Sequence, residues 1–201
     1  MIVKRIPAGI YAANCYILCD EATKETAVID PGGDYDDLLK AIKDLGAEVK
    51  YVLLTHGHTD HTGAVKDFVS EFNVPVYVNS KDAELMLRSE YLFGSFEDDK
   101  KFITAADKDV ITLGGTSIYC IETPGHTPGG MCYKLDDMIF TGDTLFLSSI
   151  GRTDFPGGDY DTLISSIKNN LLIYDDSTVI YPGHGPSSTI GFERKRNSFL
   201  Q

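Results

Sequence analysis

At roughly 150 residues per domain, a chain of 201 residues reads as one domain spanning 1–201, and 42% hydrophobic with 24% charged residues places it among globular proteins rather than disordered or coiled-coil ones. Thirty Asp and Glu against eighteen Lys and Arg leave a net charge of −12, which disfavours nucleic acid or an anionic membrane surface as the main partner. The longest nearly apolar stretch, residues 10–19, is interrupted by Asn14 and reaches about half a membrane span, and the first ten residues carry no signal-peptide pattern, so a cytoplasmic location is expected.

In chain order, short apolar and β-branched runs predict strands over 2–6, 16–18, 27–29 and 51–54. Helical periodicity predicts helices over 34–45, stopped by Gly46, then over 62–72 and 80–88, with a strand over 76–78 between the last two. Residues 89–108, acidic and aromatic, read as a surface excursion. Strands follow over 110–113, 118–121, 131–133 and 139–140, then a helix over 159–172, a strand over 179–181 and a last helix near 192–200. Strands, then alternation, then strands again suggest two sheets with helices outside. Cys15, Cys19, Cys120 and Cys132 all fall in strand-like segments and read as reduced, buried thiols, and zinc held by Cys15 and Cys19 would lack a second ligand pair nearby.

The chemistry concentrates in Thr55-His56-Gly57-His58-Thr59-Asp60-His61, between the strand over 51–54 and the helix over 62–72. Residues two apart in extended backbone project to one side, so His56 and His58 can reach one metal ion, while Asp60 and His61, where the chain bends into a helix, point to a second. Imidazole and carboxylate ligands without thiolate select zinc, iron, manganese or similar ions. The chain has five histidines, and the two outside this cluster, His126 and His184, sit in matching Pro124-Gly125-His126 and Pro182-Gly183-His184 turns, each after an apolar strand. Scattered structural histidines have no reason to collect at strand exits.

This constellation resembles the metallo-β-lactamase superfamily, in which a His-x-His-x-Asp-His motif is completed by a later His, an Asp and a last His. The resemblance covers nearly the whole chain and implies an α+β fold, the four-layer αββα sandwich. It implies that His56, His58 and His126 bind a first ion, that Asp60, His61 and His184 bind a second, and that Asp143 in Thr141-Gly142-Asp143-Thr144 bridges them. Asp60 and Asp143 are then the catalytic carboxylates, and the cofactor is two divalent cations, zinc first, with iron or manganese as alternatives. Thr123-Pro124-Gly125-His126-Thr127-Pro128-Gly129 and Gly151-Arg152-Thr153-Asp154-Phe155-Pro156-Gly157-Gly158 look most like the glyoxalase II (hydroxyacylglutathione hydrolase) group. Larger members carry a further C-terminal helical domain, whereas 17 residues follow His184 here, so the resemblance is to the short, single-domain branch.

The implied activity is hydrolysis of a small acyl-thiol such as S-lactoylglutathione by a metal-bridging hydroxide. A thiolate with a conjugate-acid pKa of about 8.5 leaves without a strong general acid. No Gly-x-Ser-x-Gly elbow is present, and a Ser-His-Asp triad would lack a free base. Arg152 matches a basic position that contacts the thiol carrier in the family, with an Arg152–Asp154 surface pair as the alternative, and Phe155 and Tyr181 are candidates for the pocket wall. Persulfide dioxygenases share the motif and use one iron, which here would fall to His56, His126 and Asp143. A lactonase or another hydrolase on the same site, and a non-catalytic metal-binding module, are further alternatives. Oligomeric state is not readable from the residues.

Overall fold

In the computed structural model, which describes residues 1–96 and 99–201, two six-stranded sheets face each other and each outer face carries helices. The first sheet follows chain order: β1 (Ile2–Ala8), β2 (Ala13–Cys19), β3 (Glu25–Ile29), β4 (Glu48–Leu53), β5 (Val76–Val78) and β6 (Phe102–Thr104). Hairpins join β1 to β3 antiparallel. From β3 onward pairing is parallel, and parallel neighbours need long crossovers. These are supplied by α1 (Tyr35–Leu45), α2 (Thr59–Thr62) with α3 (Val65–Phe72), and α4 (Ser80–Leu87).

The second sheet is built from β7 (Val110–Leu113), β8 (Thr116–Glu122), β9 (Met131–Leu135), β10 (Met138–Gly142), β13 (Val179–Pro182) and β14 (Ser188–Thr189), in spatial order 14-13-10-9-8-7. A short hairpin, β11 (Leu145–Phe146) and β12 (Ser149–Ile150), precedes α5 (Tyr160–Ser166), and α6 (Ile190–Arg196) follows β14. Because central strands are buried on both faces, they read as nearly unbroken apolar runs whose alternation sorts side chains between layers. In β2, Cys15 and Ile17 face α1, α3 and α4, whereas Tyr16 and Leu18 enter the space between the sheets. In β10, Phe140 faces between the sheets and Ile139 faces α5 and α6. Three apolar layers between four structural layers make an αββα sandwich. All four cysteines are free and buried, and burial pushes the Cys120 and Cys132 thiols up to about 12.

Several boundaries differ from the sequence expectation for local reasons. The helix expected over 62–72 starts at Thr59 and breaks at Gly63, because the Ala64 N–H bonds Pro31 O (2.9 Å) instead of continuing the helix ladder. The helix expected over 159–172 is capped by Asp159, which accepts from Thr162 N–H at 2.7 Å, and widens into a π-turn over Ile167–Leu171. The last helix begins at Ile190 and stops at Asn197, whose extended backbone starts a separate turn over Ser198–Leu200. The segment 89–108 is more than a surface excursion: it buries Phe93, Phe96 and Ala105 and contributes β6 beside β5. Glu97 and Asp98 in that segment lie outside the described residues. No helix is long and apolar enough to cross a membrane among the described residues.

Topology fixes where function can sit. β3 and β4 are parallel, so residues 30 and 54–56 leave the first sheet at the same edge. β8 and β10 are both antiparallel to β9, and β10 is parallel to β13, so His126, Asp143 and His184 all follow strands that end at one edge of the second sheet. Cross-sheet bonds hold these edges together: Asn14 N–H to Gly183 O (2.7 Å), Tyr16 hydroxyl to Pro182 O (2.7 Å), Met131 N–H to Thr55 O (2.7 Å) and Tyr133 hydroxyl to Leu54 O (2.8 Å).

Candidate metal centre

At that shared edge, three sets of side chains converge, with ligand atoms within 4.8 Å of one another: His56, His58 and His126; His56, His61 and Asp143; Asp60, His61 and His184. His58 Nδ1 lies 3.1 Å from His126 Nε2, and His184 Nε2 lies 3.2 Å from Asp60. Asp143 faces both groups: its carboxylate is 3.4 Å from His61 Nε2, 3.7 Å from His126 Nε2 and 3.6 Å from His184 Nε2.

The protons of three imidazoles follow from what their outer nitrogens meet. Asp30 accepts from the Thr55 N–H (2.8 Å) and the Thr55 hydroxyl (2.6 Å). With its own hydrogen committed to Asp30, the Thr55 hydroxyl can only accept from His56 Nδ1 (3.1 Å). His61 Nδ1 donates to Asp30 at 3.0 Å, and His126 Nδ1 donates to the Arg152 carbonyl at 2.7 Å. In its neutral form each ring therefore turns an unprotonated Nε2 inward, the arrangement in which an outer acceptor fixes the tautomer of a metal-binding imidazole. The buried Nε2 atoms of His56, His58 and His61 and Oδ1 of Asp143 have no hydrogen-bond partner. Buried polar atoms without partners are costly in a folded protein, and a divalent cation satisfies nitrogen lone pairs and a carboxylate at once. The residues fit such a centre.

Electrostatics agrees. Burial and the neighbouring His126 and His61 rings hold His58 down to about 4, and burial with the same crowding holds His56 well below the usual imidazole range, so both rings are neutral at pH 7. Burial alone would raise the Asp143 carboxyl, but His61, His126 and His184 carry it well below the carboxylate range. Burial likewise opposes charge on His61, yet Asp143 and Asp30 more than offset it and raise its pKa, so this pocket attracts positive charge. The hydrogen bond that His184 donates to Asp60 raises His184 in the same sense.

The remaining expected site residues divide. Phe155 reaches the cluster, with its ring 5.8 Å from His58 and 6.4 Å from His126, and Phe93 (4.9 Å from His58) and Phe146 (6.2 Å from His184) add apolar walls. The Arg152 guanidinium is exposed, grips Asp154 with two bonds (2.9 and 2.7 Å) and lies 4.2 Å above the Phe155 ring. Tyr181 is not brought to the site: strand alternation turns it between the sheets, where it stacks on Phe140 (5.1 Å) and meets Tyr16 edge-on (5.7 Å). Sequence reasoning missed Asp30, Thr55 and the Arg152 carbonyl, which orient the rings. Asp30 carries a usable signal, an acid directly after an apolar strand and before Pro31-Gly32-Gly33, much like the two Pro-Gly-His turns. Asp30→Asn places an amide NH2 against at least one of its donors, and outer-partner losses of this kind cost about 10–100-fold in metal affinity. Chelator competition on the folded variant measures this, and unchanged affinity would remove Asp30 from the centre.

An αββα sandwich that gathers imidazoles and carboxylates where both sheets end has the architecture of a metal-dependent hydrolase. Residues 8–184 match the model of the metallo-beta-lactamase superfamily, and the chain belongs to that superfamily. It is 39% identical over 211 residues to the hydroxyacylglutathione hydrolase GloC of Haemophilus influenzae, covering 100% of this chain and 98% of that protein. Among solved structures, it is similar to the BLEG-1 B3 metallo-beta-lactamase (TM-score 0.87, 34% identity, 99% of each chain covered). ETHE1 from Myxococcus xanthus superposes with TM-score 0.86 at 27% identity, covering 98% of this chain and 84% of that one. TTHA1623, solved in a di-iron-bound form, superposes with TM-score 0.84 at 31% identity, covering 98% and 100%.

Proposed function

We propose that this chain is a thioester hydrolase of the glyoxalase II type, acting on a small acyl-thiol such as S-lactoylglutathione at a centre of two divalent cations. In this reading His56, His58 and His126 would hold one cation and Asp60, His61 and His184 the other, with Asp143 placed to serve both. The observation that carries it is the inward set of ring nitrogens: the Nε2 atoms of His56 and His61 are buried without partners, and an acceptor outside each of these two rings fixes its proton there. When bound, two such cations supply an ionised water near neutral pH and a positive charge for the carbonyl oxygen. The chain's own groups do the rest. Asp30, Thr55 and the Arg152 carbonyl orient the rings, and Phe93, Phe146 and Phe155 keep bulk water off them. No cysteine competes as nucleophile, since all four are buried in the fold. A thiolate leaving group of pKa about 8.5 departs without a protonating residue, which suits a site whose acids face imidazoles. Full-length identity to a hydroxyacylglutathione hydrolase supports this reading.

A second reading is a persulfide dioxygenase with one iron on His56, His126 and Asp143, favoured by the convergence of these three side chains at one edge of the fold. Release of free thiol from S-lactoylglutathione without oxygen uptake supports the hydrolase. Oxygen consumption with glutathione persulfide, and no thioester cleavage, overturns it. Arg152→Ala leaves the backbone carbonyl on His126 in place and removes the side chain beyond Cβ, the guanidinium included. If that group holds the thiol carrier, KM should rise about tenfold with kcat little changed, the pattern of lost ground-state binding, and an unaltered KM would take Arg152 out of substrate recognition.

A further inference from the structure

A buried carboxylate outside the cluster joins the two loops that carry His56, His58 and His126. Asp82, on the first turn of α4, has no solvent exposure. A first-turn acid ordinarily sits in water near its own helix amides, but this one turns inward and bonds other segments. Its Oδ2 accepts from the N–H of Gly57, the residue between His56 and His58, at 2.9 Å and from the hydroxyl of Thr127, the residue after His126, at 2.8 Å. Its Oδ1 accepts from the Gly129 N–H at 2.7 Å, in the same loop as His126.

These loops leave different sheets, one after β4 and the other after β8. The strand ladders fix each within its own sheet and not against the other. The bond from Met131 N–H to Thr55 O ties the loops at their roots, whereas Asp82 ties them beside the imidazoles. Metal ions tolerate ligand distances within about 0.2 Å, so a three-imidazole set drawn from two sheets depends on that spacing. Asp60, His61 and His184 make no bond to Asp82; His61 is held by Asp30 and Asp60 by His184.

We propose that Asp82 is a positioning residue that sets the separation of His58 and His126, and thereby the affinity of the His56–His58–His126 set independently of the Asp60–His61–His184 set. This rests on the two-cation reading above. The test is zinc titration of the metal-depleted protein against a chelator, with long-range proton–nitrogen spectra of the histidine rings reporting which residues respond at each step. Asp82→Asn should weaken one step by about 10–100-fold, the step that moves the His58 and His126 nitrogens, and change the other by less than about threefold. Thr127→Val removes one of the three bonds, should weaken the same step by a smaller factor, and covers the case in which Asp82→Asn does not fold. Both steps unchanged or equally weakened, with only a lower Tm, would mean a purely structural acid and overturn the proposal. Wild-type protein that takes up no zinc would instead sink the two-cation reading itself.

Discussion

Asp143→Asn is expected to lose at least one of two bound metal equivalents and to reduce kcat/KM on the order of 10³-fold. The carboxylate follows β10 and faces imidazoles of both ligand sets, at 3.4 Å from His61, 3.7 Å from His126 and 3.6 Å from His184. Asparagine preserves the shape but removes the negative charge and turns an NH2 toward lone pairs. A loss of several kcal/mol of charge stabilisation corresponds to a rate loss of about that size. Elemental analysis of the purified variant, read beside its hydrolysis rate and a circular dichroism spectrum, checks the expectation. Full metal content with activity within about threefold of wild type would show that Asp143 does not join the two sets.

Gly125→Ala is expected to destabilise the metal-free chain by about 3 kcal/mol, the sum of a strained backbone and an overfilled contact. Gly125 has φ +130°, and a Cβ there would lie 2.3 Å from Leu163 N and 2.4 Å from its Cα, backbone atoms of α5 that cannot swing away. The turn is pinned to that helix by Asp159 N–H donating to Gly125 O at 2.8 Å, so relief must come from moving His126 or from backing α5 out of its core, where Leu163 is fully buried. Gly46→Ala is the control. Gly46 also has positive φ (+61°), but nothing lies within 4 Å of its Cβ position, so about 1 kcal/mol is expected from backbone conformation alone. Urea unfolding of the two metal-free variants measures the difference, and equal losses would show that the contact with Leu163 is soft.

The layers of the fold were legible because both faces of each central strand are buried: continuous runs such as Val28-Ile29 and Tyr51-Val52-Leu53 announce strands whatever their partners. The short strands β6, β11, β12 and β14 were not, since two or three residues held by neighbours carry no periodicity of their own. The histidines were legible by density and by the repeated Pro-Gly-His turn. What orients them was only partly so. Asp30 followed a readable strand exit, but Asp82 looks like any solvated first-turn acid until tertiary packing buries it. Arg152 acts on His126 through its carbonyl, an atom every residue has, so its side-chain identity gave no hint of that role. Tyr181 illustrates the converse: adjacency in sequence to Pro182-Gly183-His184 suggested the pocket, while strand alternation sent its ring between the sheets.

The proposed chemistry requires two cations that meet side chains delivered by both sheets. Anomalous diffraction at the metal absorption edges, from crystals of protein purified without added metal, tests this directly. The predicted result is two peaks, one among His56, His58 and His126 and one among Asp60, His61 and His184, both touching Asp143. A single iron peak on His56, His126 and Asp143, or metal bound away from these residues, would contradict it.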